Sequence, residues 1–301
     1  MVSKIKYYKN FDVHKKHKNS IILIGNFDGV HLGHQKLFKK ALILKKRNKY
    51  KIGVVTFDPI PKMFFFKKIK NYRISNFDQK LDILKRFKVD FVINKKFDLK
   101  FSKIKCNQFI EKFLYKKLSA KLIFVSNNFR FGNKREGDVK LLKFFEKKFN
   151  YRIINPSPLK KKKKIISSTS IRKLLEKGQI STANKYLDRN WSIQGIVQPG
   201  RRLGKTIGFP TCNIDIGNYV IAKPGVYAVK ILINKTKKKL SGIANLGYRP
   251  TFNQNKILLE VNIFNFKKNL YNKKLTVEFL NFIRGEKKFN GIDELKKQIK
   301  I

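Results

Sequence analysis

The chain has 301 residues, 42% of them hydrophobic and 13% aromatic, enough for one large domain or two ordinary ones with real cores. No apolar run approaches the ~20 residues that span a bilayer. The charged start has no apolar stretch behind it and does not read as a signal peptide. Two distant cysteines, Cys106 and Cys212, argue against a disulfide framework or a cysteine metal site and fit a reducing cytosol.

Lys and Arg total 71 against 19 Asp and Glu, a formal net charge of +52. Such a charge first suggests nucleic acid. However, the lysines run along the whole chain, and Phe, Ile, Asn and Lys are the residues an AT-rich genome favours. We read the charge as compositional and keep a nucleic-acid-binding module as the rival class. In so basic a chain, an acid inside an apolar strand or a glycine turn stands out.

The predicted elements of the first half alternate. Ile21–Ile24 reads as a buried strand, followed by turn residues and a helix over His34–Lys46. Ile52–Phe57 is a strand that ends at Asp58-Pro59-Ile60-Pro61, which cannot continue a ladder. A helix over Phe77–Phe87, a strand at Phe91–Asn94 and a helix over Cys106–Leu118 follow. Next come a strand at Leu122–Val125, the loop Asn127–Gly132, a helix over Gly137–Phe149 and a strand at Tyr151–Ile154. Strands alternating with helices predict a doubly wound parallel sheet, with ligands beyond the carboxyl ends of the strands. The turn at Gly25, the Pro59–Pro61 segment and Asn127-Asn128 would then face one crevice. Lys160–Lys164 reads as a solvated loop. Helices over Ser170–Lys177 and Ile180–Leu187 close this half.

From Trp191 the texture changes. Strand-like pieces at Ser192–Val197, Cys212–Ile216, Val226–Leu232, Leu240–Leu246, Ile257–Phe266 and Leu275–Ile283 predict an antiparallel barrel or sandwich. A helix over Ile292–Ile299 ends the chain. The domain boundary is placed near Tyr186–Trp191.

The chemistry starts at Gly25-Asn26-Phe27-Asp28-Gly29-Val30-His31-Leu32-Gly33-His34. A helix N-terminus carries free N–H groups and a positive dipole end, which attract phosphate. His31 and His34 would add donors there; the bland alternative is that they only cap the helix. Ser168, Thr169 and Arg172 suit a triphosphate, because Arg donates several bonds in a fixed fork. An ordinary N-cap would explain one hydroxyl but not the arginine.

In the second half, the run from Gly200 through Gly204, Lys205 and Gly208 is a glycine-rich basic loop entering a strand. It is not a Walker loop, because no helix follows, yet its backbone could wrap phosphates. Thr211 and Asn213 point to one side of a strand and offer oxygens of the kind that suit Mg²⁺ with its nucleotide. The alternative is a polar outer face of a barrel strand. Glu260 sits in an apolar strand, where it either pairs with a base or acts as a general base.

The ten-residue run resembles the signature of the bacterial bifunctional riboflavin kinase/FMN adenylyltransferases, the FAD synthetases. Thr56–Pro61, Val125–Gly132 and Ile166–Arg172 resemble that family's later segments. Gly208–Asn213, Gly225–Tyr227, Asn245–Phe252 and the strand of Glu260 before Tyr271 resemble its kinase domain. The chain departs from the usual pattern at Ile60, Ser126, Asn262 and Asn265.

The resemblance implies a Rossmann-like nucleotidyltransferase domain over 1–186 and a riboflavin kinase β-barrel with a terminal helix over 187–301. It implies two reactions, riboflavin to FMN and FMN to FAD, with ATP and Mg²⁺ as cofactors and small molecules rather than membranes or nucleic acid as partners. Glu260, His31 and His34 would be catalytic. Gly25, Asn26, Phe27, Asp28, Asn128, Ser168, Thr169 and Arg172 would hold the ATP of adenylyl transfer, with the flavin near Pro59 and Pro61. Gly200, Gly204, Lys205, Gly208, Thr211 and Asn213 would hold the ATP of the kinase, with the metal on Thr211 and Asn213. A kinase with an impaired adenylyltransferase half is the rival enzyme.

Overall fold

The computed structural model describes residues 5–161, 164–199, 208–234, 236, 238–251, 254–266, 268–287 and 294. The chain forms two compact units. The first holds the residues up to Lys70 together with Phe77–Ser167; the second holds Asn71–Asn76 and everything from Ser168 onward.

The first unit is built on a six-stranded sheet. Its strands are β1 (Lys6–Tyr8), β2 (Ile21–Ile24), β3 (Ile52–Asp58), β4 (Phe91–Lys96), β5 (Leu122–Phe124) and β6 (Arg152–Ile154). The order is β1-β4-β3-β2-β5-β6, with every pairing parallel. A parallel sheet is covered on both faces, so its strands are continuously apolar. Strand β2 is buried at all four residues. Ile22 and Ile24 enter one core cluster, with Phe91, Ile93 and Ile123. Ile21 and Leu23 enter the other, with Val54, Val92 and Phe124. The period of two divides one strand between two cores.

The chain goes from β2 outward to β3 and β4, then returns to β5 on the other side of β2. The sheet therefore reverses direction between β2 and β5, where α/β sheets open a crevice at the carboxyl edge. The loops after β3, β2 and β5 leave that edge from three neighbouring strands, as the sequence predicts.

The second unit contains helices Ser168–Glu176 and Ile180–Leu187 and a closed antiparallel barrel. A two-residue hairpin of the first unit, β7 (Lys160–Lys161) with β8 (Lys164–Ile165), precedes them. The barrel strands are β9 (Ser192–Gln198), β10 (Thr211–Asp215), β11 (Gly225–Ile233), β12 (Leu240–Thr251), β13 (Gln254–Ile263) and β14 (Lys274–Arg284), closed in the order β10-β13-β12-β11-β14-β9. Tyr227, Val229, Ala244, Leu246, Leu259, Val261, Val277 and Phe279 fill the interior.

Several expectations need correction. Lys6–Tyr8 is an edge strand that the sequence reading left out, because its side chains are largely exposed and show no apolar signature. The expected helix over Cys106–Leu118 winds as a wider π-helix across Phe109–Lys117. The expected helix over Gly137–Phe149 is two short ones, Val139–Phe144 and Glu146–Phe149. The lysine run is not a plain loop but carries the β7–β8 hairpin. The terminal helix and most of the Gly200–Gly208 loop lie outside the described residues.

The change of compact unit comes at Ser167/Ser168. The six residues Asn71–Asn76 are drawn into the barrel unit from the middle of the first half. Tyr72 and Arg73 donate backbone N–H bonds to the Asn218 carbonyl, both 2.9 Å, and Val220 donates to the Arg73 carbonyl at 2.8 Å. The buried Trp191 indole donates to the Ile74 carbonyl at 3.0 Å.

Candidate active sites

The first site is the turn after β2. The Gly25 N–H bonds the Val55 carbonyl at 3.0 Å, extending the ladder by one residue. The backbone then enters the left-handed region at Phe27 (φ 45°), Gly29 (φ 77°) and Val30 (φ 39°). Only glycine takes that region without cost, so a turn that also holds Phe27 and Val30 there is fixed by its surroundings. Phe27 and Val30 are buried core residues, and Gln35 donates to the Val30 carbonyl at 3.1 Å.

His31 is the N-cap of the helix Leu32–Asn48, its Nδ1 accepting the His34 backbone N–H at 3.4 Å. That bond leaves Nε2 as the donor nitrogen of a neutral His31. A Cβ on Gly33 would come within 3.1 Å of the His31 ring, so glycine there makes room for the imidazole. The His31 and His34 rings stack with centroids 3.7 Å apart. Burial, then His31, then Lys80 push the His34 pKa well below its ordinary value, so the ring is neutral. Its Nδ1 is hidden and has no hydrogen-bond partner among the described residues. The turn thus presents two stacked imidazoles, that of His34 neutral, at a helix start.

The neighbouring loops are ordered by short contacts. Ser126 Oγ donates to Asn128 Oδ1 at 2.9 Å. The Asn127 amide bonds the Asn155 and Pro156 carbonyls at 2.7 and 3.2 Å. Pro61 starts the short helix Pro61–Phe65, and Ile60 before it is buried. The rings of Phe64, Phe65 and Phe97 cluster at 5.2 to 5.7 Å, with Phe65 exposed, beyond the ends of β3 and β4. Sequence reasoning passed over these rings, because 27 phenylalanines hide a local cluster.

Ser168 and Thr169 open the helix Ser168–Glu176 in the second unit. Arg172 is buried, its guanidinium carbon 3.6 Å from the Tyr72 ring centre and its Nε donating to the Tyr72 carbonyl at 2.7 Å. The Tyr72 contact could not be read from residues 100 positions apart.

The second site lies on the outer face of the barrel. On β13, Leu259, Val261 and Ile263 face the interior, so Glu260 and Asn262 face out. Register sets Glu260 directly opposite Asn213 on β10 and Asn245 on β12, and Asn262 opposite Thr211. Residues directly opposite project to the same side of a sheet. Thr211, Asn213, Asn245, Glu260 and Asn262 therefore form one polar patch. Asn262 Nδ2 donates to the Pro210 carbonyl at 2.8 Å. Asn213 Oδ1 is buried with no hydrogen-bond partner among the described residues. A Cβ on Gly247 would strike the Glu286 carboxylate, which brings a second acid to the edge of this patch. Gly208 has φ +87° and open space around it; Gly200, Gly204 and Lys205 lie outside the described residues.

Comparison with known proteins places the whole chain in one family. A family model described as FAD synthetase matches residues 13–170, and one described as riboflavin kinase matches 187–301. The bifunctional riboflavin kinase/FMN adenylyltransferase of Buchnera aphidicola subsp. Schizaphis graminum is 40% identical over 288 residues, covering 95% of this chain and 92% of that one. The protein of the same description from Escherichia coli K12 is 35% identical over 279 residues, covering 93% and 89%. A crystal structure described as a macrolide-efflux protein from Streptococcus pneumoniae superposes with a TM-score of 0.85 at 30% identity, covering 98% of this chain and 95% of that one. That description belongs to the other protein; here, among the described residues, no helix is long and apolar enough to cross a membrane. The chain belongs to the family of bifunctional riboflavin kinase/FMN adenylyltransferases.

Proposed function

We propose that the chain makes FAD from riboflavin in two steps, with residues 187–301 carrying the kinase and residues 1–186 the adenylyltransferase. In the kinase, the Glu260 carboxylate takes the proton of the riboflavin 5′-hydroxyl. The freed oxygen attacks the γ-phosphorus of ATP, the bond to the β-bridging oxygen breaks, and ADP leaves with FMN formed. Such transfer rests on positioning and charge stabilisation. The Gly200–Gly208 loop would wrap the phosphates.

The residues present fit Mg²⁺ carried in by the nucleotide. Asn213 Oδ1 is a buried oxygen without a hydrogen-bond donor among the described residues, and Thr211 shares its face. Neutral oxygens of this kind hold Mg²⁺ together with phosphates and water. When bound, the ion would offset the negative charge of the phosphate oxygens.

In the adenylyltransferase, a phosphate oxygen of FMN attacks the α-phosphorus of a second ATP and pyrophosphate leaves. No base is needed, because the FMN phosphate is already an anion. The Nε2–H groups of His31 and His34 stabilise charge growing on the α-phosphate, as donors fixed in place beforehand. Gly25–Asp28 and Asn128 hold the ATP. Pro59 and Pro61 line the flavin side, where the apolar face offered by Phe65 suits an isoalloxazine ring. The cysteines Cys106 and Cys212 are both free, which fits a cytoplasmic enzyme.

The observation that carries this reading is the register that places Glu260 opposite Asn213. The test is product analysis with riboflavin, ATP and Mg²⁺, where both FMN and FAD are expected. FMN accumulating without FAD contradicts the second step.

A further inference from the structure

Among the described residues, Lys80 is the one lysine that is buried, at 2% exposure. Every other lysine among the residues whose burial is described is at least partly exposed. Burying an ammonium is expensive unless it is well bonded. Lys80 lies in the helix Phe77–Arg86 and its Nζ reaches under the turn after β2. It donates to the Asn26 carbonyl at 2.8 Å and to Thr56 Oγ1 at 3.1 Å. Thr56, itself fully buried on β3, donates to the same Asn26 carbonyl at 3.2 Å.

Two donors on one carbonyl fix the Asn26–Phe27 peptide plane. In a planar trans peptide the N–H points opposite to the C=O, so the Phe27 N–H is aimed away from Lys80. Fixing this peptide also helps hold Phe27 at its positive φ. The second consequence is electrostatic. A fixed cation lies directly behind a turn whose chemistry concerns phosphate, and a buried charge is screened far less than a surface one.

We propose that Lys80 is a positioning residue for adenylyl transfer: its buried ammonium locks the Asn26–Phe27 peptide against β3 and lends the turn a fixed positive charge. This rests on reading the turn as the α-phosphate site. Lys80 touches no reacting atom in this account; it acts through the turn and through His34. The ionisable groups acting on His34 are His31 and Lys80, with Asp28 the buried acid of the same turn.

The test compares Lys80→Met and Lys80→Gln with the parent, measuring FAD formation from FMN across pH and FMN formation from riboflavin in the same preparations. A misplaced site costs up to about a hundredfold, so kcat/KM for FAD formation should fall by about ten- to a hundredfold while riboflavin phosphorylation holds. The acid limb of the FAD-forming pH profile should move to higher pH in both variants, because removing a cation eases protonation of His34. An unchanged kcat/KM, or a loss with the acid limb unmoved, overturns the proposal. If Lys80→Met also loses riboflavin phosphorylation, the milder Lys80→Gln decides by the same two readouts. His34→Ala is assayed in parallel. FAD formation lost there but kept in the Lys80 variants overturns the Lys80 proposal alone. FAD formation kept in His34→Ala overturns the reading of the turn, and this proposal with it.

Discussion

The imidazoles of His31 and His34 lie face to face, 3.7 Å between centroids and 22° from parallel. Two imidazolium rings at that distance would repel each other, so the stack holds at most one charge. His34 is the ring kept neutral, by burial first and by His31 and Lys80 after it.

That neutrality has a sign in stability. The unfolded chain takes up a proton on this residue near the ordinary value of 6.5, whereas the folded chain resists it. The unfolded state therefore binds more protons below that value, and stability falls as pH drops through it. His17 is shifted in the same direction by its own burial. Thermal unfolding of His34→Gln beside the parent isolates the His34 share: the variant should lose less Tm than the parent between pH 7 and pH 5. Parallel curves would contradict a neutral His34.

Glu260→Ala should abolish FMN formation from riboflavin and leave FMN-to-FAD conversion within about twofold, since Glu260 and the His31–His34 turn belong to different compact units. Loss of a general base alone costs on the order of 10² to 10⁴ in rate. Assays of each half-reaction on one preparation check this, and loss of both activities would contradict separate sites.

Asn213→Ala removes the buried oxygen that has no hydrogen-bond donor among the described residues. Riboflavin phosphorylation should need roughly tenfold more Mg²⁺ for half-maximal rate, about the 1.4 kcal/mol of one modest ligand. FAD formation from FMN should keep its parental Mg²⁺ dependence. Titration of the metal in each half-reaction gives the answer, and equal shifts in both would refute the assignment.

Trp191→Phe deletes the indole N–H that bonds the Ile74 carbonyl inside the barrel unit. Losing one such hydrogen bond costs about 0.5–1.5 kcal/mol. Urea unfolding of the barrel unit should shift by that amount. No shift would mean that the Asn71–Asn76 segment contributes nothing to this unit's stability.

Much of this was legible in the sequence, for reasons that differ by element. Ile21–Ile24 and Ile180–Leu187 end where the residues predict, because one is a four-residue apolar run and the other a clean amphipathic repeat. Glu260 stood out because acids are rare. Lys6–Tyr8 did not, since an exposed edge strand has no apolar pattern to read. Lys80 was invisible for a compositional reason: among 71 basic residues, one more lysine on a helix carries no signal until its burial is known. The sequence marks Arg172 as a candidate phosphate ligand, but its stacking on Tyr72 is a long-range fact of the fold.

The hexapeptide Asn71–Asn76 has a consequence for anyone who wishes to cut the protein in two. The polypeptide passes from one compact unit to the other at three places, after Lys70, after Asn76 and after Ser167. A gene fragment that begins at the kinase boundary would encode a barrel without the carbonyl that Trp191 donates to and without the backbone that bonds Asn218. The two halves read as successive paragraphs in the sequence, but the compact units are interleaved, and a clean excision would have to transplant six residues from the other half.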